Sequence, residues 1–277
     1  RISWRVLPGA DAVTAMVAAG EAGTILGFDS PPARVTARGH SFTVRVVANV
    51  TRPPLDKREV RHALAMAIDR SAMIKALDLR GARPAFSLVP PDFVDGYSGP
   101  RAPYAKLDQE DRVTIAGALL LDLDATPVDV GLAIVNDDIF REIAEKIAGD
   151  LAPLGFRVSP IAESADAHER RLIAGDFDLA ISASAPADAY QYLFPFSQTA
   201  IPWNVGRYSD IAFDENLTAS DTERDPGWQT EKLRQADEIL NQDQAVWPLM
   251  SVKPEANFLA HQLAIFPRAS VSKRTAR

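Results

Sequence analysis

Apolar and polar positions along the chain alternate in two periods, and the switches between them outline an α/β protein. Ile2, Trp4 and Val6 alternate as a short strand, Pro8-Gly9 interrupts it, and Val13, Met16 and Val17 follow at helical spacing as far as Gly20. Glycine in that place is the usual helix stop. Thr24–Phe28 reads as a second strand and Phe42–Ala48 as a third. The third is rich in β-branched residues (Thr43, Val44, Val46, Val47), whose stiff side chains suit a pleated surface better than a helix.

Pro53-Pro54 ends that strand, and Asp56-Lys57-Arg58-Glu59 offers a capping-box-like helix start. Val60, Ala63, Leu64, Ala67 and Ile68 then line one face of an amphipathic helix. Ser71 is the expected cap of a second helix carrying Met73, Ile74 and Leu77. Arg61 and Asp69-Arg70 bracket the apolar stripe and read as structural. Arg80–Lys106, rich in proline, glycine and aromatics, reads as ordered loop on the surface of the core.

The most regular stretch follows. Val128, Val130, Leu132 and Ile134 alternate as a strand, and Asp137-Asp138 stand where a helix dipole favours negative charge. Ile139, Ile143, Ile147 and Leu151 mark the buried face of the next helix, which Gly155 closes. Phe156–Ile161, a helix over Ala167–Ala174 and a strand over Phe177–Ser182 complete a β-α-β-α-β run with short connections. Such a run predicts neighbouring, largely parallel strands of one open sheet. Thr230–Asn241 reads as a helix burying Leu233, Ala236 and Leu240, Ala245–Val252 as the last strand, and Ser270–Arg277 as a frayed basic tail.

Composition narrows the function. The net charge of −7 lacks the cationic excess of a nucleic-acid binder. With no cysteine there is no disulfide scaffold, thiol nucleophile or Cys-ligated metal. No apolar run approaches the roughly 18 residues of a membrane span. Arg1-Ile2-Ser3-Trp4 has neither an apolar signal core nor an initiator Met, so the chain reads as a mature or excised piece.

Catalytic motifs fail in turn. Nucleophile elbows and phosphate-binding glycine loops are missing. His168-Glu169-Arg170-Arg171-Leu172 opens like a zinc-protease helix, but Leu172 stands where the second histidine must be. His40, His62 and His261 have no acidic or imidazole neighbours at ligand spacing. Ser270-Val271-Ser272-Lys273 matches a nucleophile pattern only by composition. The acidic stretch Ser209–Asp225 lacks the alternating ligands of a calcium loop and reads as a solvated helix-and-turn surface. No cofactor is implied, and the chain does not read as an enzyme.

Several segments, in order, resemble the extracellular solute-binding proteins that serve ABC importers of oligopeptides, dipeptides and nickel. Asn49-Val50-Thr51-Arg52-Pro53-Pro54-Leu55-Asp56, Val60-Arg61-His62-Ala63-Leu64 and Ala67-Ile68-Asp69-Arg70 follow the family's Pro-Pro turn and helix. Pro84-Ala85-Phe86-Ser87, Val89-Pro90-Pro91 and Gly96-Tyr97 resemble its proline-rich loop. Gly175-Asp176-Phe177-Asp178-Leu179 resembles its Gly-Asp-Phe-Asp strand, and Asn204, Tyr208 and Phe213-Asp214 the segment after it. Ala18-Ala19-Gly20-Glu21 is similar to its upstream turn.

The resemblance implies a periplasmic-binding-protein-like (type II) α/β lobe with an open mixed, largely parallel sheet, plus a remnant of a second lobe. Residues 1–45 and 251–277 would belong to lobe one, and 46–250 would form the second, ligand-binding lobe. It implies an exported, periplasmic solute-binding component of an ABC importer, present as a C-terminal portion. Its partners would be a peptide-like ligand and the permease subunits in the membrane, not nucleic acid. The alternative is the solute-sensing domain of a transcriptional regulator. Peptide binders of the family carry Trp and then Asp-Tyr after the Phe-Asp strand; here Ser184 falls at the Trp position, and Asp188 takes the carboxylate role in a shorter loop. By that resemblance Asp188 partners a ligand amine, Tyr190, Tyr192 and Trp203 form apolar walls, and Asn204 offers an amide that donates and accepts. The segments Ser184–Tyr192 and Trp203–Tyr208 are then expected to meet at the ligand-facing edge.

Overall fold

The computed structural model describes residues 42–79, 81–90, 97–121, 127–184, 186 and 188–252. The elements expected before Phe42, the tail Ser270–Arg277, His40 and His261 lie outside these. In chain order the elements are β1 (Phe42–Ala48), α1 (Arg58–Ala67), α2 (Arg70–Ala76), β2 (Ala82–Pro84), α3 (Gln109–Leu119), β3 (Val128–Val135) and α4 (Asp138–Leu151). Then come β4 (Phe156–Glu163), α5 (Ala165–Ala174), β5 (Leu179–Ser184), α6 (Ala189–Leu193), α7 (Ile211–Thr222), α8 (Pro226–Asp243) and β6 (Val246–Val252).

The strands form one six-stranded sheet in the order β2-β6-β1-β5-β3-β4. β3 pairs in parallel with both β4 and β5, as the β-α-β-α-β pattern predicts. The rest of the sheet departs from the largely parallel expectation: β1 runs antiparallel to β5 and to β6, and β2 runs antiparallel to β6. β1 and β6 come from opposite ends of the described chain and meet without a crossover helix, so no βα unit constrains them to be parallel.

Alternation along the strands feeds two helical layers. Val44 and Val46 point into a core with α1, α4 and Trp247, where Leu64, Ile68 and Ile147 are fully buried. Val47 and Val246 point to the other face, beneath α6, α7 and α8. Ala133 and Ala180 also meet Phe177 in a smaller cluster, with Leu172 of α5 against it. β4 is the sheet edge, which explains how it tolerates Pro160: the missing N–H costs no ladder bond on an open side.

Local details correct the expected caps. α1 begins after Lys57, which makes no side-chain cap, so the capping box does not form. Asp69, not Ser71, caps α2: its carboxylate accepts the amides of Ser71 and Ala72 at 3.0 and 2.9 Å. The strand expected at Phe177–Ser182 lies two residues later, at Leu179–Ser184. Phe177 is instead a buried plug before the strand. The stretch Arg80–Lys106 contains the short β2 and the 3-10 turn Pro103–Lys106, and it buries Leu88, Val89, Tyr97 and Tyr104.

The motifs that carried the resemblance do mechanical work. Asn49 donates to the Gly175 carbonyl at 3.0 Å, and its side-chain oxygen accepts from Thr51. Gly175 ends α5 at φ 71°, a left-handed conformation that favours glycine. Asp178 accepts the Gly131 amide at 2.8 Å, and its own carbonyl accepts from the Asn49 amide at 2.9 Å, so one residue fastens β5 to both neighbours. Arg70, 1% exposed, donates to the carbonyls of Ala65, Ile68, Ala85 and Pro248 over 2.7–3.2 Å and lies over Phe86.

Candidate functional site

The sheet has one edge to which the C-terminal ends of β3, β4 and β5 all point. β1 starts there and β6 ends there, because Thr43 lies opposite Ser184 and Phe42 opposite Val252. In open α/β sheets ligands bind beyond the carboxyl ends of the parallel strands, where no side chain of the strands themselves fills the space. The described chain also enters and leaves the sheet at this edge. Ser184 and Asp188 occupy it, the first closing β5 and the second opening α6.

Asp188 is exposed and holds the N-terminus of α6. One carboxylate oxygen accepts the Gln191 amide at 2.9 Å and the other the Gln191 side chain at 3.2 Å. A carboxylate has about four acceptor positions, and these two bonds use two of them. Tyr190, half-buried, stacks on Phe194 with ring centroids 5.7 Å apart. Tyr192 is fully buried in the core under α6, so it offers no wall to a ligand. Burial pushes its hydroxyl up to about 12, an effect eased by a hydrogen bond with Thr43 and by the charge of Arg45.

Trp203 and Asn204 are elsewhere. The turn they belong to packs at the far end of β1: the Val50 amide donates to the Gly206 carbonyl at 3.0 Å, and a Cβ on Gly206 would come within 2.7 Å of the Ala48 carbonyl oxygen. Ala48 pairs with Leu179, at the start of β5. That is five residue steps from Ser184, about 16 Å at roughly 3.3 Å per residue. The two segments expected to meet therefore dock at opposite ends of one strand. Asn204 is 8% exposed and spends its amide inside the turn, donating to the Tyr208 carbonyl at 2.7 Å and accepting the Tyr208 amide at 3.0 Å. Trp203, 40% exposed, remains on the surface.

One residue at the edge went unremarked in the sequence. Arg45 is 7% exposed and lies on the Thr43–Val47 face of β1. Its Nη1 donates to the Ser184 hydroxyl, its guanidinium carbon is 5.8 Å from the Phe196 ring centre, and its Nε has no hydrogen-bond partner among the described residues. The available signal was a lone cation in an otherwise apolar, β-branched strand.

Among the described residues no three metal-ligating side chains converge. His168 is buried on α5 with Nε2 3.2 Å from the Ile181 carbonyl oxygen, and burial holds its imidazole below its usual value. Two of the six acids of Ser209–Asp225 cap helices: Asp210 accepts the Phe213 amide at 2.7 Å and Asp225 the Trp228 amide at 2.9 Å. A shallow hollow of about 530 Å³ lies over α7, lined by Gln198, Ile211, Asp214 and Thr218, and includes none of the edge residues. No helix among the described residues is long and apolar enough to cross a membrane.

Comparison with known proteins follows the same lines. The family model for bacterial extracellular solute-binding proteins, family 5 Middle, matches residues 1–202. The peptide transport periplasmic protein SapA of Salmonella typhimurium is 24% identical over 229 residues, covering 80% of this chain and 41% of SapA. Di/tripeptide-binding protein 3 of Pseudomonas aeruginosa is 24% identical over 232 residues, covering 80% of this chain and 43% of that protein. The structure of the murein tripeptide binding protein MppA of Escherichia coli superposes with a TM-score of 0.73 at 21% identity, covering 87% of this chain and 50% of MppA. The chain thus spans less than half the length of these two sequence relatives.

Proposed function

We propose, because the chain belongs to the family 5 bacterial extracellular solute-binding proteins, that it forms the ligand-binding second lobe of an ABC importer's solute-binding component, with a peptide-like ligand. Residues 46–250 make up that lobe together with the ends of β1 and β6 that continue its sheet (42–45 and 251–252), and the rest of 1–45 and 251–277 belongs to the first. The protein works in the periplasm and hands its ligand to permease subunits in the membrane. Like other binding proteins it makes and breaks no bond.

The observation that carries this reading is the edge itself. β1 and β6, antiparallel neighbours, enter and leave the sheet beside the carboxyl ends of β3 and β5. A second lobe attached through them would face Ser184 and Asp188 across a cleft, and two strands side by side make a natural hinge. Closure over a ligand would remove water from both walls, and desolvation of that kind gives such sites their affinity. The peptide class is supported by the names of the relatives, SapA and the di/tripeptide-binding protein among them.

At the edge, Asp188 partners the ligand amine, Ser184 contributes a hydroxyl and Tyr190 an aromatic flank. Trp203 and Asn204, from the opposite end of β5, serve the lobe's surface and its internal packing. The test is retention of peptides by the complete protein from a synthetic pool of di- to pentapeptides, read by mass spectrometry and followed by calorimetry. Retained peptides with micromolar or tighter dissociation constants support the reading. Failure to retain any peptide removes the peptide class.

A further inference from the structure

The buried arginines of this lobe fall into two groups. Arg70 and Arg61 are enclosed by backbone carbonyls: Arg70 donates to four, and Arg61 to those of Leu55, Asp56 and Asp243 over 2.9–3.2 Å. Their hydrogen-bonding capacity goes to holding the chain together. Arg45 is different. Its one hydrogen bond to a described residue ends on the neutral Ser184 hydroxyl, its Nε is buried without an acceptor, and no carboxylate among the described residues pairs with it. Arg112 also leaves a buried nitrogen unpartnered, but it lies on α3 against Phe86, away from the edge.

A buried cation with so little compensation is costly, and the ordinary remedy is an anion. The location says where the anion comes from. Arg45 is two residues from Thr43, the partner of Ser184 at the ligand edge. The ladder with β6 shifts register between Val44 and Arg45, so Leu249 becomes an extra residue. Irregularities of this kind re-aim side chains next to sites. The Phe196 ring centre lies 5.8 Å from the guanidinium carbon, an aromatic face rather than an acceptor.

We infer that Arg45, with Ser184 beside it, receives a carboxylate of the ligand at this edge of the sheet. The inference rests on the proposed peptide reading and deepens it by naming the group recognised and the residue that recognises it. Guanidinium and carboxylate match as a two-bond fork, so a planar oxyanion satisfies Nε and a terminal nitrogen together, whereas a carboxamide cannot. Burial lowers the pKa of Arg45 to about 10, still well above neutral, so the charge is present where the ligand meets it. The carboxylate comes from a peptide C-terminus or from an acidic side chain, and the two sources are separable.

The experiment presents the complete protein with the synthetic di- to pentapeptide pool in two forms, free acids and C-terminal amides. A third pool holds amides that each carry one glutamate. The wild type should retain free acids at least tenfold better than plain amides, and Arg45→Gln should bring the two within about twofold. Ser184→Ala should narrow the preference without abolishing it. Recovery by the glutamate amides would assign the carboxylate to a side chain, and no recovery would assign it to the C-terminus. Equal retention of free acids, plain amides and glutamate amides by the wild type overturns the role of Arg45 while leaving the peptide reading intact, and it decides the matter even if Arg45→Gln does not fold. A preference that survives in folded Arg45→Gln overturns it as well. Retention of nothing from any pool removes both.

Discussion

The Tyr97 hydroxyl donates to the Asp237 carboxylate at 2.9 Å in the interior, and the second carboxylate oxygen has no partner among the described residues. Asp237 is 1% exposed, and burial raises its pKa to about 7, with the Tyr97 hydrogen bond pulling the other way. Together with Asn241, which donates to the Pro100 carbonyl at 3.0 Å, it fastens the loop beside Tyr97 onto α8. The folded state therefore keeps a proton on Asp237 at pH values where the unfolded chain, near 3.8, has released it. Stability from this group is fully present below about pH 4 and is lost as pH rises toward 7.

Asp237→Asn should remove that loss. About three pKa units at 1.36 kcal/mol each set an upper bound of about 4 kcal/mol. Urea midpoints at pH 5 and pH 8 should show the variant gaining on the wild type as pH rises. A constant difference between the two proteins would mean that Asp237 does not titrate in this range.

Arg70 is the second test, because one buried guanidinium serves four backbone carbonyls. Arg70→Met keeps most of the volume but leaves those acceptors buried, and it should destabilise by at least about 3 kcal/mol. Arg70→Lys should also be costly, since an ammonium on a flexible stem cannot span the same fork. A denaturant curve displaced by less than about 1 kcal/mol for either variant would show that the cage is not essential.

Asp188 caps α6, and one substitution separates that role from the proposed contact with a ligand amine. Serine is nearly as good as aspartate at a helix N-cap, so Asp188→Ser should change stability by no more than about 0.5 kcal/mol. Loss of the charge should weaken binding of peptides with a free amine about tenfold in calorimetry on the complete protein. Unchanged affinity would leave Asp188 as a cap alone.

Asn204→Ala should behave in the opposite way. It breaks both hydrogen bonds to Tyr208 in a buried turn, costing about 1–3 kcal/mol of stability. Peptide affinity should stay within about twofold, because the turn packs against Ala48 and Val50 and not against the ligand edge. A selective loss of affinity in a stable variant would return Asn204 to the site.

Much of the lobe was legible in one dimension. β1 and α4 coincide with their patterns, and β3 through β5 follow theirs with ends moved by one or two residues. Alternation and helical periodicity are local properties that a packed neighbour only reinforces. Caps were less legible, since Ser71 and Asp69 are both good capping residues and only the path of the chain chose between them. Resemblance placed Ser184, Asp188 and Asn204 in one site, but a list of motifs in order carries no information about which end of a strand each one meets.

The sequence by itself determined which segments are strands and helices, which faces they bury, and the family they belong to, because each depends on residues a few positions apart. Tertiary structure alone decided that Arg45 meets Ser184 across 139 residues, that Tyr192 is core, and that the turn holding Asn204 docks at the end of β5 opposite Ser184. Those outcomes depend on strand order and register. Both are chosen by the packing of the whole sheet between its two helical layers, a sum over distant contacts that no local pattern contains.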